Sequence, residues 1–72
     1  MMQEVIKMIV NAPRLNVRQK PNTESDVICI VEKDVVLEVT SKEKDGWCRI
    51  TTPLGRKGYV MTRHIKEGLD NG

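Results

Sequence analysis

The sequence predicts a small all-β domain of short antiparallel strands, arranged as a barrel or a sandwich. Apolar, β-branched runs of strand length recur along the chain, and polar, turn-forming segments separate them. No run of about ten residues carries the 3.6-residue apolar period of an amphipathic helix. With 72 residues the chain has room for one hydrophobic core and none for a second.

Strands are predicted where β-branched content is high or where apolar and polar residues alternate. These stretches are 5–10, 15–18, 27–31, 35–40, 47–52 and 56–61, followed by a last short strand at 65–66. Turns are predicted at Lys33-Asp34, at Pro53-Leu54-Gly55 and, most strongly, at Asp45-Gly46, whose residues tolerate positive φ. Thr62-Arg63-His64 is predicted to form one short helical turn. The residues predicted to face inward are Val17, Val27, Leu37, Val39, Ile50 and Val60.

Composition restricts which residue types can form the core and which class of partner the chain can bind. The chain has one Trp, one Tyr and no Phe, so its core must be aliphatic. The formal charge of +2 is too balanced to indicate a nucleic-acid partner, although basic residues crowd the last quarter. The apolar stretch 5–10 is too short for a membrane span or a signal peptide.

The chemical inventory is poor in groups that bind metals or catalyse reactions. Two Cys and one His do not make a structural zinc site, and no cofactor is expected. The spacing of Cys29 and Cys48 leaves open whether they are free thiols or a disulfide. Catalysis by Cys48 with His64 would also need an orienting group and an oxyanion hole, and we expect no enzyme activity.

An ordered set of short motifs resembles the bacterial Src-homology-3 domain. It begins with Leu15-Asn16-Val17-Arg18 and Pro21-Asn22-Thr23, and continues through Val27-Ile28 and Val35-x-Leu37-x-Val39. It ends with Gly46-Trp47-x-Arg49-Ile50 and Gly55-x-x-Gly58-Tyr59-Val60. The resemblance extends from about residue 15 to residue 65, most of the chain.

This resemblance implies a partly open SH3-like barrel of five to six short antiparallel strands. The barrel is placed at 15–66, with an N-terminal strand and lead-in at 1–14 and a frayed tail at 67–72. The family's usual role implies a targeting module of a larger cell-wall-associated or lytic protein, with peptidoglycan or its peptides as ligand. The location would then be extracellular or at the cell wall, and otherwise cytoplasmic; we expect a monomer.

Three residues depart from the family pattern. Asp34 stands where Gly is frequent, Cys29 where a small residue is usual, and Cys48 where an aromatic is common beside the Trp. The first two changes are compatible with the fold. The third removes aromatic surface and predicts a weaker binding groove.

Seven residues are candidates for ligand contact. Trp47 and Tyr59 are the only aromatics; Trp47 lies opposite the predicted core face of its strand and is expected near the surface. Each of the two either binds a sugar or peptide or packs over one end of the barrel. Arg18 and Arg49 either bind a ligand carboxylate or pair with surface acids. The remaining candidates lie in one loop and either border the groove or stabilise the turn: Asn22, Thr23 and Glu24.

Two other classes of function compete with cell-wall targeting. A generic protein–protein interaction module needs only a protein partner, and nothing in the sequence argues against one. A nucleic-acid-binding barrel would use several aromatic stacking platforms, which this chain lacks.

Overall fold

The computed structural model describes residues 6–67 and shows seven strands in one antiparallel sheet. The strands are β1 (Ile6–Val10), β2 (Arg14–Arg18), β3 (Val27–Glu32), β4 (Val36–Lys42), β5 (Trp47–Thr51), β6 (Lys57–Met61) and β7 (Ile65–Lys66). Their order across the sheet is β3-β2-β6-β5-β4-β1-β7. The all-β, SH3-like prediction is confirmed. Six of the strands, β2 to β7, fall in the predicted barrel region, in line with the predicted five to six, and β1 forms where an N-terminal strand was predicted.

The turns at Lys33-Asp34 and at Asp45-Gly46 form where the sequence predicts them. Asp34, Asp45 and Gly46 all have positive φ, with values of 74°, 62° and 80°. Aspartate tolerates this left-handed region better than most residues, which explains how Asp34 replaces the family's frequent Gly. A short 3₁₀ turn spans Thr62–His64, as predicted, and leads directly into β7.

The turn between β5 and β6 is held by hydrogen bonds at Thr52. The Gly55 backbone N–H donates to the Thr52 carbonyl at 2.8 Å, and the Arg56 N–H donates to Thr52 Oγ1 at 3.1 Å. Pro53 favours the φ of the second turn position, and Gly55 adopts a φ of 88°. The buried Thr52 hydroxyl therefore has a partner.

The inner face of the sheet encloses one aliphatic core. Its members come from every strand of the sheet: Met8, Val10, Leu15, Val17, Val31, Leu37, Val39, Cys48, Ile50, Val60 and Ile65. No aromatic side chain belongs to this cluster, as the composition predicts. Cys29 is half-buried, Cys48 is buried, and both are free thiols.

Val27 was expected in the core, and this prediction is wrong because its side chain is 44% exposed. The cause is a β-bulge. Val17 pairs with Cys29, but the next residue, Arg18, pairs with Val27. Ile28 is therefore an extra residue on β3, and it reverses the inside-outside alternation of the strand.

Strand β1 joins two parts of the sheet. It pairs with β4 from Ile6 to Ile9 and with β7 through Ile9 and Val10. Its Met8 and Val10 side chains are buried in the core. The N-terminal segment thus supplies core residues. Of the predicted frayed tail at 67–72, all but Glu67 lies outside the described residues.

Removing residues 1–10 should abolish cooperative folding. The deletion takes two buried side chains from the core, each worth about 1.5–3 kcal/mol, from a domain whose whole stability is only a few kcal/mol. Urea unfolding followed by circular dichroism tests this. In the full chain, Val10→Ala should cost about 2 kcal/mol, while Lys7→Ala on the exposed face of β1 should cost under about 0.5 kcal/mol. A deletion variant with an unchanged unfolding midpoint would contradict this role of β1.

Gly58 is required by close packing of β6 against β2. A Cβ atom at this position would lie 2.5 Å from Val17 Cγ1 and 2.8 Å from the Arg18 carbonyl oxygen. Gly58→Ala should therefore destabilise the fold by about 1–3 kcal/mol in urea titrations. The double variant Gly58→Ala with Val17→Ala should lose less than the sum of the single losses, because one of the two clashes is gone. Strict additivity would show that the Val17 contact is not the constraint.

Candidate functional site

Five side chains form a continuous row across the outer face of the sheet. Arg18 pairs with Val27 on one side and with Tyr59 on the other. Tyr59 pairs with Arg49, and Arg49 pairs with Ser41. Directly paired residues on neighbouring strands point to the same face. We call Val27, Arg18, Tyr59, Arg49 and Ser41 the outer row; it spans roughly 19 Å, four inter-strand spacings of about 4.8 Å.

Residue alternation places the outer row opposite the core. Gly58 and Val60 on either side of Tyr59 are buried, as are Cys48 and Ile50 on either side of Arg49. Arg49 is exposed, while Arg18 and Tyr59 are half-buried. Three of the seven predicted ligand residues therefore lie side by side.

Two β-bulges complete the outer row at its ends. The bulge in β3 turns Val27 outward, next to Arg18. A second register shift in β4 makes Thr40 the extra residue, so Ser41 pairs with Arg49. Sequence reasoning missed Val27 and Ser41, because a bulge reverses alternation without leaving a clear pattern in the residues.

The Arg18 guanidinium connects the outer row to the 19–26 loop. Its Nη1 donates to the Ser25 carbonyl at 2.9 Å. Ser25 Oγ accepts from the Lys20 backbone N–H at 3.0 Å and donates to the Lys20 carbonyl at 3.2 Å. The partner of Arg18 is a neutral carbonyl, which leaves the positive charge available to an anionic group. Ser25 was not predicted, although a serine hydroxyl in a polar turn is a common backbone partner.

The three predicted loop residues are exposed, and one has a clear structural task. Asn22 Oδ1 accepts the Glu24 backbone N–H at 2.9 Å, the hydrogen bond of an Asx turn. Among residues 6–67, the side chains of Thr23 and Glu24 make no such bond. The loop surrounds a shallow cleft of about 300 Å³, lined by Gln19, Lys20, Asn22, Glu24, Ser25 and Asp26.

Trp47 is not on the surface, and its predicted exposure is wrong. Its side chain is only 7% exposed, yet it does not belong to the aliphatic core cluster. Trp47 pairs with Met61, so it occupies the outer-face register two residues from Arg49. The rest of the folded chain therefore covers the indole at the start of β5. The arrangement favours a packing role and leaves Tyr59 as the accessible aromatic of the outer row.

The Cys48 thiol is fully buried, and its sulfur lies 3.0 Å from Thr62 Oγ1. No group of three His, Cys, Asp or Glu side chains within residues 6–67 is placed to hold a metal ion. Over the same range, no helix is long and apolar enough to cross a membrane.

Truncating Trp47 should unfold the domain. Trp47→Ala removes a large buried side chain at a cost of about 3–5 kcal/mol, comparable to the whole stability of a domain this small. Circular dichroism at 25 °C should show loss of the β-sheet signal, whereas Trp47→Phe should remain folded. If Trp47→Ala unfolds cooperatively and loses less than about 1 kcal/mol, the indole is not a structural support.

Comparison with known proteins agrees with this architecture. Residues 13–66 match the family model described as the bacterial SH3 domain. The chain is similar to the probable endopeptidase p60 of Listeria grayi, with 29% identity over 62 residues. The alignment covers 86% of this chain but only 12% of that relative, so the chain spans a small part of the relative's length. The family match covers most of the chain, and together with the seven-stranded antiparallel sheet it identifies the chain as a member of the bacterial SH3 domain family.

Proposed function

We propose that this domain is a non-catalytic binding module that recognises the bacterial cell wall, through peptidoglycan or its peptides. The observation that carries the proposal is the outer row, in which Arg18 and Arg49 flank Tyr59 on the face away from the core. Membership of the bacterial SH3 family supports a binding role. Similarity to a much longer endopeptidase supports a role as an accessory part of a wall-associated protein.

The outer row has the chemistry to bind an extended peptide that carries carboxylates. A guanidinium binds a carboxylate through two parallel hydrogen bonds, and the Arg49 side chain is exposed. Tyr59 offers an apolar ring together with a hydroxyl group. The roughly 19 Å length of the outer row matches about five or six residues of extended chain.

The ends of the outer row differ in polarity, which would orient a bound chain. Val27 is an exposed apolar residue at one end. Ser41 lies at the other end, where its hydroxyl donates to Glu43 Oε2 at 2.9 Å. An apolar ligand group would therefore lie over Val27, and a polar or positively charged group would lie near Glu43.

The 19–26 loop would form a wall beside the outer row. The Arg18–Ser25 hydrogen bond holds this loop against β2. Asn22 would act mainly by shaping the loop, and Thr23 and Glu24 would present a hydroxyl and a carboxylate to ligand amides or amines. A shallow surface of this kind gives modest affinity, which repeated sites on a polymeric wall can increase by avidity.

Co-sedimentation with purified Gram-positive sacculi tests the proposal. We expect saturable binding by the unmodified chain. Arg49→Gln and Tyr59→Ala should each lower the affinity by about fivefold or more, the loss expected for one charge-assisted or aromatic contact. Raising the salt concentration should weaken binding, because exposed charges are screened. The variants should first be shown to be folded by circular dichroism.

Lys66→Gln is the matched control for charge. It removes one positive charge, as Arg49→Gln does, but Lys66 is an exposed residue of β7, the last strand in the sheet order. Its binding should stay within about twofold of the unmodified chain. Equal losses in Lys66→Gln and Arg49→Gln would indicate attraction by net charge and reject the outer row as the site. Absence of binding by the unmodified chain would reject the cell-wall ligand and favour a protein partner.

A further inference from the structure

A groove lies along the free edge of the sheet, at β3, and no outer-row residue lines it. It has a volume of about 440 Å³ and lies between β3, the start of β4 and the 52–56 turn. Ile30, Val35 and Leu54 form much of its apolar wall. Ile30 is 49% exposed and Leu54 is 91% exposed, an unusual degree of exposure for two large aliphatic side chains. None of the seven predicted ligand residues lines this groove.

The hydrogen bonds between β2 and β3 show which backbone N–H and C=O groups of β3 face away from β2, on the side of the groove. The Lys33 N–H donates to the Pro13 carbonyl at 3.2 Å. This bond identifies which pairs of opposite residues on β2 and β3 are hydrogen-bonded to each other. Antiparallel strands exchange hydrogen bonds at every second pair, so Leu15–Val31 and Val17–Cys29 are bonded pairs. Ile30 lies between them, and its N–H and C=O point away from β2. Because β3 ends the sheet, no other strand within residues 6–67 pairs with that side.

The 52–56 turn forms the opposite wall of the groove. Arg56 reaches across, with Nη1 3.5 Å from the Ile28 carbonyl, at the limit of a hydrogen bond. Leu54 and Pro53 project from the same turn toward the groove. The groove therefore has hydrogen-bonding backbone on one side and apolar side chains on the other.

We propose that this groove binds an extended peptide segment that adds as an eighth strand to the free edge of β3. Main-chain groups of the peptide pair with Ile30, and alternate apolar side chains enter the space between Val35 and Leu54. Strand addition of this type takes its affinity from the backbone and its selectivity from alternate side chains. The site is separate from the outer row, so it would give the module a second ligand.

Charges at the two ends of the groove define the chemistry of the peptide. Glu32 lies at one end, and Arg56 approaches Ile28 at the other. Four residues of strand, about 13 Å, separate Ile28 from Glu32. A complementary peptide therefore carries a basic residue and an acidic residue four positions apart, with apolar residues between them on the other face.

A synthetic peptide of this pattern tests the proposal: Thr-Lys-Val-Thr-Val-Glu-Thr, blocked at both ends. It is titrated into the isotopically labelled 72-residue chain and followed by NMR. We expect saturable shifts at Ile30, Glu32 and Leu54, with a Kd on the order of 0.1–1 mM for so short a strand. The Ile30 amide proton should also exchange at least about tenfold more slowly with peptide bound, because it becomes hydrogen-bonded.

Two peptide analogues separate strand addition from simple apolar contact. One is N-methylated at the odd-numbered amides and the other at the even-numbered amides, so each lacks the donors of one edge. One analogue should lose binding and the other should keep it, since only one edge faces β3. Equal binding by both would overturn strand addition.

Protein variants complete the test. Leu54→Ser should weaken binding by about five- to tenfold, and Ile6→Ser, an exposed aliphatic on β1, should leave it within about twofold. Shifts confined to Arg18, Tyr59 and Arg49, or no shifts at millimolar peptide, would overturn the proposal. Shifts that grow with chain concentration in the absence of peptide would assign the edge to a second copy of this chain and also overturn it. Sacculus binding is scored separately, so either proposal can fail alone.

Discussion

The pairing of β1 with both β4 and β7 is the constraint on which the rest of the sheet depends. β7 contains two residues, and it pairs with β1. On its other side, β1 covers the edge of β4 and places Met8 and Val10 over the core. A domain of this size cannot lose part of its buried apolar surface and stay folded. The formation of the last strand, β7, therefore depends on the formation of the first, β1. All of β1 precedes the residues that carry the family resemblance, which shows that the family pattern alone understates what the barrel needs.

Local turn and strand signals predicted most of the fold because they act over a few residues. The predicted strand at 47–52 is found as Trp47–Thr51, and the strand at 56–61 as Lys57–Met61. The hairpin at Asp45-Gly46 formed where two residues tolerate positive φ. The aliphatic core followed from the absence of Phe. The sequence did not predict which face of the sheet each side chain of β3 and β4 occupies. Each bulge changes that face, and each bulge depends on pairing with a distant strand.

The candidate site illustrates the same limit. Arg18, Tyr59 and Arg49 were chosen one by one for their chemistry, and it is the register of β2, β6 and β5 that brings them together. Val27 and Ser41 lie in the same outer row because a β-bulge changes the face to which each of them points. Alternation along β5 puts Trp47 opposite the core face, as predicted. Its predicted exposure is wrong because the rest of the chain covers the side chain at the start of β5. Tertiary packing of this kind is not encoded in a local pattern.

The burial of Trp47 also makes the domain its own optical reporter. The chain has one tryptophan and one tyrosine, so its fluorescence under selective excitation comes from a single indole. An indole that is 7% exposed emits at shorter wavelength than one in water, and unfolding moves that emission toward the red. The fluorescence reports on the surroundings of Trp47 at the start of β5, and Trp47 is part of neither of the two surfaces proposed as binding sites. Emission that stays constant while a ligand binds would therefore show that the scaffold holds its shape as the surface is occupied.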